Sequence, residues 1–231
     1  MHPLRRTVVV LLALTATVLV AAPGQASEGI QAAQRRLNAL GCDAGPVDGH
    51  GGTRTRAAVI RFQSANHLPQ TGRLSDRTRA RLYGGPPVRC DKRPVPAGAS
   101  GRRIVISQGQ NYVWLVRVDG SVAAQDGMVD NPRELRPGTY SSGAKCGRAA
   151  KIRNNTDAGG RLWLHDFTRF APCGIGFHQI PQYRGTLTQI HPDYLLGTDE
   201  RESHGCIRLS RQMADRVWDF TSPGTMVVVQ R

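Results

Sequence analysis

Lysine is nearly missing from this 231-residue chain: only Lys92, Lys145 and Lys151 occur among 31 basic residues. The formal charge of +14 is therefore carried almost wholly by arginine. There is no His-Glu-x-x-His and no Cys-x-x-Cys, the spacings that most often hold zinc. There is no Gly-rich phosphate loop, nucleotide fingerprint or haem motif, so the sequence implies neither an organic cofactor nor a metal. No internal repeat and no low-complexity tract is present. Beyond the N-terminus, no apolar run approaches the roughly 20 residues a membrane helix needs.

The N-terminus does carry such a run in shorter form. Arg5 and Arg6 precede an almost unbroken apolar stretch from Thr7 to Ala22, and Gly24-Gln25-Ala26 closes it with small residues. This pattern reads as a cleaved secretory signal over residues 1–26, with a retained N-terminal anchor as the alternative. No cysteine stands at the cleavage point to take a lipid. The segment holds two arginines and no acid, so its removal lowers +14 to +12. Export makes nucleic acid a poor partner. An anionic wall polymer or membrane surface suits the charge better, as does a simply solvated basic face.

Five cysteines remain: Cys42, Cys90, Cys146, Cys173 and Cys206. Thiols outside the cytoplasm tend to pair, and an odd number leaves one over. The sequence does not fix the pairing. Cys42 and Cys90 bracket a small helical unit and form a natural pair. Cys146 with Cys173 would then join two loops, leaving Cys206 free.

The helical unit spans 28–84. Ile30, Ala33, Leu37 and Leu40 recur at helical spacing and stop at Gly41. Gly45-Pro46-Val47-Asp48-Gly49 is turn chemistry. Thr55 is the expected cap of a second helix bearing Ala58, Val59 and Phe62, and Ser75 or Asp76 opens a third that runs through Leu82. The order of Leu37, Gly41, Asp48-Gly49, Thr55, Ala58-Val59, Phe62-Gln63, Leu68, Gly72 and Thr78 resembles the small peptidoglycan-binding domain found on many wall enzymes. Most of these positions would be core or turn in any three-helix bundle, so the resemblance names no sugar-binding residue.

Residues 85–101 are rich in proline and glycine and read as a linker. From 102 to 231 the pattern turns to strands. Ile104-Val105-Ile106 and Tyr112 to Val118 suit a hairpin across Gln108-Gly109-Gln110-Asn111. Shorter strands fit Thr139-Tyr140, Leu162 to Phe167, Gly176 to Ile180 and Thr225 to Val229. One helix, capped by Ser210, carries Met213, Ala214, Val217 and Trp218 on one face. The fold class expected is a small all-α three-helix domain followed by a mainly β domain.

The chemistry concentrates in Ser203-His204-Gly205-Cys206-Ile207-Arg208. A cysteine is nucleophilic as thiolate, and nearby positive charge favours that form. Arg208 and His204 stand two residues to either side of Cys206. Gly205 has no Cβ, so a substrate carbonyl can approach and neighbouring N–H groups can form an oxyanion hole. A general base must come from elsewhere in the fold. The candidates are His165, His178, His191 and His204. His178 follows a compact Gly174-Ile175-Gly176-Phe177 run on a strand. His191 beside Pro192 reads as an exposed loop histidine, and His165 as a partly buried one at a strand end.

This block resembles the signature of the L,D-transpeptidases, the YkuD-like domain, in which a strand histidine precedes Ser/Thr-His-Gly-Cys. The early strand pair, Arg136-Pro137-Gly138-Thr139-Tyr140 and the closing helix and strand agree with it. The resemblance implies a β-sandwich with few helices over 102–231. It implies Cys206 as acylated nucleophile and His178 as general base and acid, with His204, Ser203 and Gly205 shaping the site. Arg208 would hold a substrate carboxylate; a structural ion pair is its alternative. The implied substrate is peptidoglycan: the thiolate attacks the third residue of a tetrapeptide stem, D-alanine leaves, and an amine of a second stem resolves the thioester as a 3→3 cross-link. Water as acceptor would make the protein an L,D-carboxypeptidase. A zinc-dependent wall peptidase or amidase, a non-catalytic wall-binding protein, and Cys173 as nucleophile are the rival readings. Two features depart from the family pattern. Twenty-four residues, 179–202, separate His178 from Ser203, so Pro181 to Glu202 reads as an extended loop suited to a lid, and Arg136 replaces a threonine.

Overall fold

The computed structural model describes residues 23–231. Most of the expected signal segment, residues 1–22, lies outside the described residues.

Three helices come first: α1 (Pro23–Ala39), α2 (Thr53–Ala65) and α3 (Asp76–Tyr83). Leu37, Leu40, Val59, Phe62 and Leu82 meet in one core with Cys42 and Cys90, which are bonded to each other. A core this small gains from a covalent staple between its ends. Ser75 caps α3, accepting from the Thr78 N–H. Helix α2 differs from expectation: Gly52 is its cap, and the Thr55 hydroxyl, with one proton to give, instead lies within hydrogen-bond distance of the Ala44 and His50 carbonyls.

Ten strands follow: β1 (Arg103–Ser107), β2 (Tyr112–Val116), β3 (Val122–Gly127), β4 (Gly138–Ser141), β5 (Lys151–Thr156), β6 (Leu162–Arg169), β7 (Gly176–Gln179), β8 (Gln182–Tyr183), β9 (Ile207–Leu209) and β10 (Met226–Gln230). Helix α4 (Arg211–Phe220) precedes the last strand, with Ser210 accepting from the Met213 N–H as its cap. One sheet has the order β3-β2-β1-β10-β4; the other runs β5-β6-β7-β9, with β8 pairing β6. Strands β3, β5, β8 and β9 escaped the sequence reading because they are short or polar, as Lys151–Thr156 illustrates.

Ile104, Ile106, Val113 and Leu115 of the first sheet pack with Phe177, Ile207 and Leu209 of the second and Met213, Ala214 and Val217 of α4. Strand β2 is buried on both faces, which accounts for its unbroken apolar sequence. Its other face, Tyr112, Trp114 and Val116, packs against Val95. Residues 85–101 therefore lie on the sheet rather than standing free. Arg93 is buried, its guanidinium 4.1 Å from the Tyr112 ring centroid, and its carbonyl accepts from Trp114 Nε1 at 3.1 Å. The two domains also touch directly. Arg61 on α2 donates to the carbonyls of Cys42, Asp43, Tyr194 and Leu196, and Arg56 pairs with Glu200 at 2.8 Å.

Candidate active site

Parallel pairing of β7 with β9 sets Phe177 against Ile207, His178 against Arg208 and Gln179 against Leu209. One step back in this register, Cys206 stands opposite Gly176. Neighbours in register share a face, and residues two apart along a strand share one too. Cys206, Arg208 and His178 thus crowd one side of the second sheet, while Phe177, Ile207 and Leu209 fill the core on the other.

A cavity of about 370 Å³ lies on that side, lined by His178, Ser203, His204, Cys206 and Arg208 together with Leu164. The turn Asp157-Ala158-Gly159, between β5 and β6, also borders it. The second disulfide joins Cys146 to Cys173, and Cys206 is the free cysteine. Its Sγ faces the Gly174 carbonyl oxygen at 3.4 Å. Burial holds the Cys206 thiol above its ordinary value, and the Gly176 N–H, Arg208 and Arg169 offset only part of that rise.

His178 is fully enclosed, and burial pushes its imidazole down to about 4. Its Nδ1 lies 2.5 Å from the Gln179 carbonyl oxygen. A carbonyl only accepts, so Nδ1 carries the proton and Nε2 keeps a lone pair. The Phe167 ring stacks beside the imidazole, centroids 6.1 Å apart and planes 13° from parallel.

The Ser203–Cys206 turn is held from below. Ser203 donates its N–H to the Asp130 carbonyl, and Asn131 Nδ2 donates to the Ser203 carbonyl at 2.8 Å. The Gly205 N–H donates to Ser203 Oγ at 2.9 Å. Gly205 has φ +116°, and a Cβ there would come within 3.2 Å of Glu134 Cβ, so this position requires glycine. Arg208 donates from Nη1 to the Arg201 carbonyl, and no ion pair among the described residues includes it.

The other histidines part company. His165 and Asp166 line a separate polar cleft of about 870 Å³ beside the start of α4. His191 is buried, contrary to its reading as an exposed loop residue: it is 5 % exposed, Nδ1 sits 3.1 Å from the Pro192 carbonyl, and Nε2 has no partner. The long 181–202 segment is not a loose loop. It adds β8 to β6, makes a one-turn 3-10 helix at Asp193–Leu195, and buries Leu195, Leu196 and Thr198. Pro181 and Ile190 reach the cavity wall, whereas Tyr194 to Glu200 face the helical domain. Among the described residues, no group of three or more His, Cys, Asp or Glu is arranged to hold a metal ion.

Sequence reasoning missed Asp130, Asn131 and Arg169. Asn131-Pro132 is a turn signal, but nothing local ties it to a site 72 residues away.

Residues 101–229 match the model of the YkuD family, the L,D-transpeptidase catalytic domain. The chain belongs to that family. Residues 26–82 match the model of a peptidoglycan binding domain. Among solved structures, the L,D-transpeptidase of Xylanimonas cellulosilytica (residues 123–326) is 21% identical, with a TM-score of 0.50 over 87% of this chain and 92% of that one. An L,D-transpeptidase of Stackebrandtia nassauensis is 20% identical, with a TM-score of 0.45 over 88% and 91%. A search of curated proteins gave no match. As a YkuD L,D-transpeptidase, the protein has peptidoglycan as its substrate.

Proposed function

We propose that this L,D-transpeptidase works through a thioester on Cys206, releasing D-alanine from a tetrapeptide stem and forming 3→3 cross-links outside the cytoplasmic membrane. The observation that carries the reading is one cavity lined by both an unbridged cysteine and a buried histidine whose Nδ1 proton is already committed.

The resting pair is neutral, a thiol and an imidazole, because burial opposes charge on both. His178 Nε2 takes the Cys206 proton as the sulfur attacks the carbonyl carbon of the third stem residue. The Gly205 N–H is engaged by Ser203 Oγ, so we assign the Cys206 N–H to the oxyanion. When the tetrahedral intermediate collapses, the C–N bond to D-alanine breaks and His178 returns the proton to the leaving amine. An amine of a second stem then attacks the thioester, its proton passes to His178, and the Cys206 thiol is restored. Arg208, free of acidic partners, is the group we assign to a stem carboxylate. His204 and Ser203 shape the cavity rim and floor.

The test is mass spectrometry of wall fragments incubated with the protein. Cross-linked product with loss of D-alanine is expected, and acylation by a carbapenem-type β-lactam should vanish in Cys206→Ala and persist in Cys173→Ala. Acylation retained in Cys206→Ala would refute the assignment. Shortened stems without cross-links would instead make water the acceptor.

A further inference from the structure

Strand β6 lies on the far side of β7 from β9, and its last residue, Arg169, pairs with Gly176. Gly176 in turn stands opposite Cys206 in the register that pairs Phe177 with Ile207. Arg169, Gly176 and Cys206 therefore form one row across the sheet, and the middle member has no side chain. The next row is Phe167, His178 and Arg208. Strands are about 4.8 Å apart, so the backbones of Arg169 and Cys206 are separated by about 10 Å, within the combined reach of the two side chains.

Arg169 is 2 % exposed. Its Nε donates to the Ala149 carbonyl at 3.1 Å, and its guanidinium carbon lies 4.9 Å from the Phe167 ring centroid. Its Nη1 is buried with no partner. It has no carboxylate partner among the described ion pairs. A buried guanidinium without a counter-ion is costly, and it cannot lose its proton. The space over Gly176 is closed by the Phe167 ring, since a Cβ on Gly176 would meet Phe167 Cζ at 2.7 Å. A buried charge beside this filled space is screened less than one in water.

We propose that Arg169 is a positioning residue of this site, a fixed cation on the far side of Gly176 that favours the Cys206 thiolate as the sulfur gives up its proton. The role rests on the reading of Cys206 as nucleophile. It complements Arg208, which stands two residues from Cys206 on β9. The two cations oppose the burial of the sulfur from two directions. The other titratable groups around the sulfur are His178 on β7, His204 beside it, Asp157 across the cavity and Glu134 against Gly205. Arg148, on the loop beneath Arg169, is a further positive charge.

The pH dependence of iodoacetamide alkylation tests this in the full chain, because the four other cysteines are bridged. Arg169→Gln keeps a donor for Ala149 and removes the charge. Its expected effect is an alkylation midpoint about one pH unit higher, hence about tenfold slower alkylation below the midpoint, with the high-pH plateau unchanged. Arg169→Lys should retain the wild-type midpoint. An unshifted profile in folded Arg169→Gln overturns the proposal. If that variant does not fold, Arg169→Lys decides: a midpoint displaced by a full unit overturns it and a retained one supports it. A wild-type Cys206 that resists alkylation across the whole pH range would sink the nucleophile reading itself, a different result from either.

Discussion

Cys206 Sγ rests 3.4 Å from the carbonyl oxygen of Gly174, whose chain neighbour Cys173 is bonded to Cys146. The disulfide thus holds the backbone that touches the thiol. Cys173 itself has φ +53°, a conformation disfavoured for a side-chain-bearing residue. Replacing both partners, Cys146→Ser with Cys173→Ser, should cost about 3 kcal/mol of stability and slow Cys206 acylation under conditions where the variant is still folded. Thermal melts and the rate of β-lactam acylation read the two effects separately. Unchanged acylation would mean that the Gly174 contact does not position the sulfur.

His178 makes stability fall with acidity. Its folded value is pushed down to about 4 from the ordinary 6.5. Between these values the unfolded chain binds the proton and the folded chain does not, so unfolding gains as pH drops. The expected loss is about 3 kcal/mol between pH 6.5 and 4, flattening below. Denaturant midpoints of wild type and His178→Asn should converge toward pH 4. Acylation should also fall away near the lower value, where the imidazole can no longer accept a proton.

Gly205→Ala should cost about 1–3 kcal/mol at the turn, through the φ of +116° and the approach to Glu134 and Ile175. Because this turn carries the nucleophile, acylation should drop more than stability does. A crystal structure of the variant would show Ser203 displaced from Asn131.

Arg61→Met should loosen the two domains. Four carbonyls, two in each domain, lose their shared donor, at a cost of about 2–4 kcal/mol. Limited proteolysis should then cut between residues 84 and 101 faster than in wild type, while Cys206 keeps its alkylation rate.

Much of this architecture was legible in the residues themselves. The three helices, the Ser210 cap and the paired β1 and β2 follow from apolar spacing and capping chemistry, which are local. The cavity's principal members were also legible, because Ser203 to Cys206 form a contiguous block and His178 sits on a recognisable strand. What escaped notice depends on register. Arg169 is an unremarkable basic residue until pairing sets it opposite Gly176. His191 looks exposed until the segment around it folds onto the domain. The proline-rich 85–101 stretch has the composition of a free linker, yet Arg93 and Val95 bind it to β2 through contacts that no local pattern announces.

Arg56–Glu200 and the Arg61 carbonyl cage make the two domains into a caliper of fixed opening. Whatever the helical unit engages is therefore held at a set distance from the sulfur, and does not trail on a free tether.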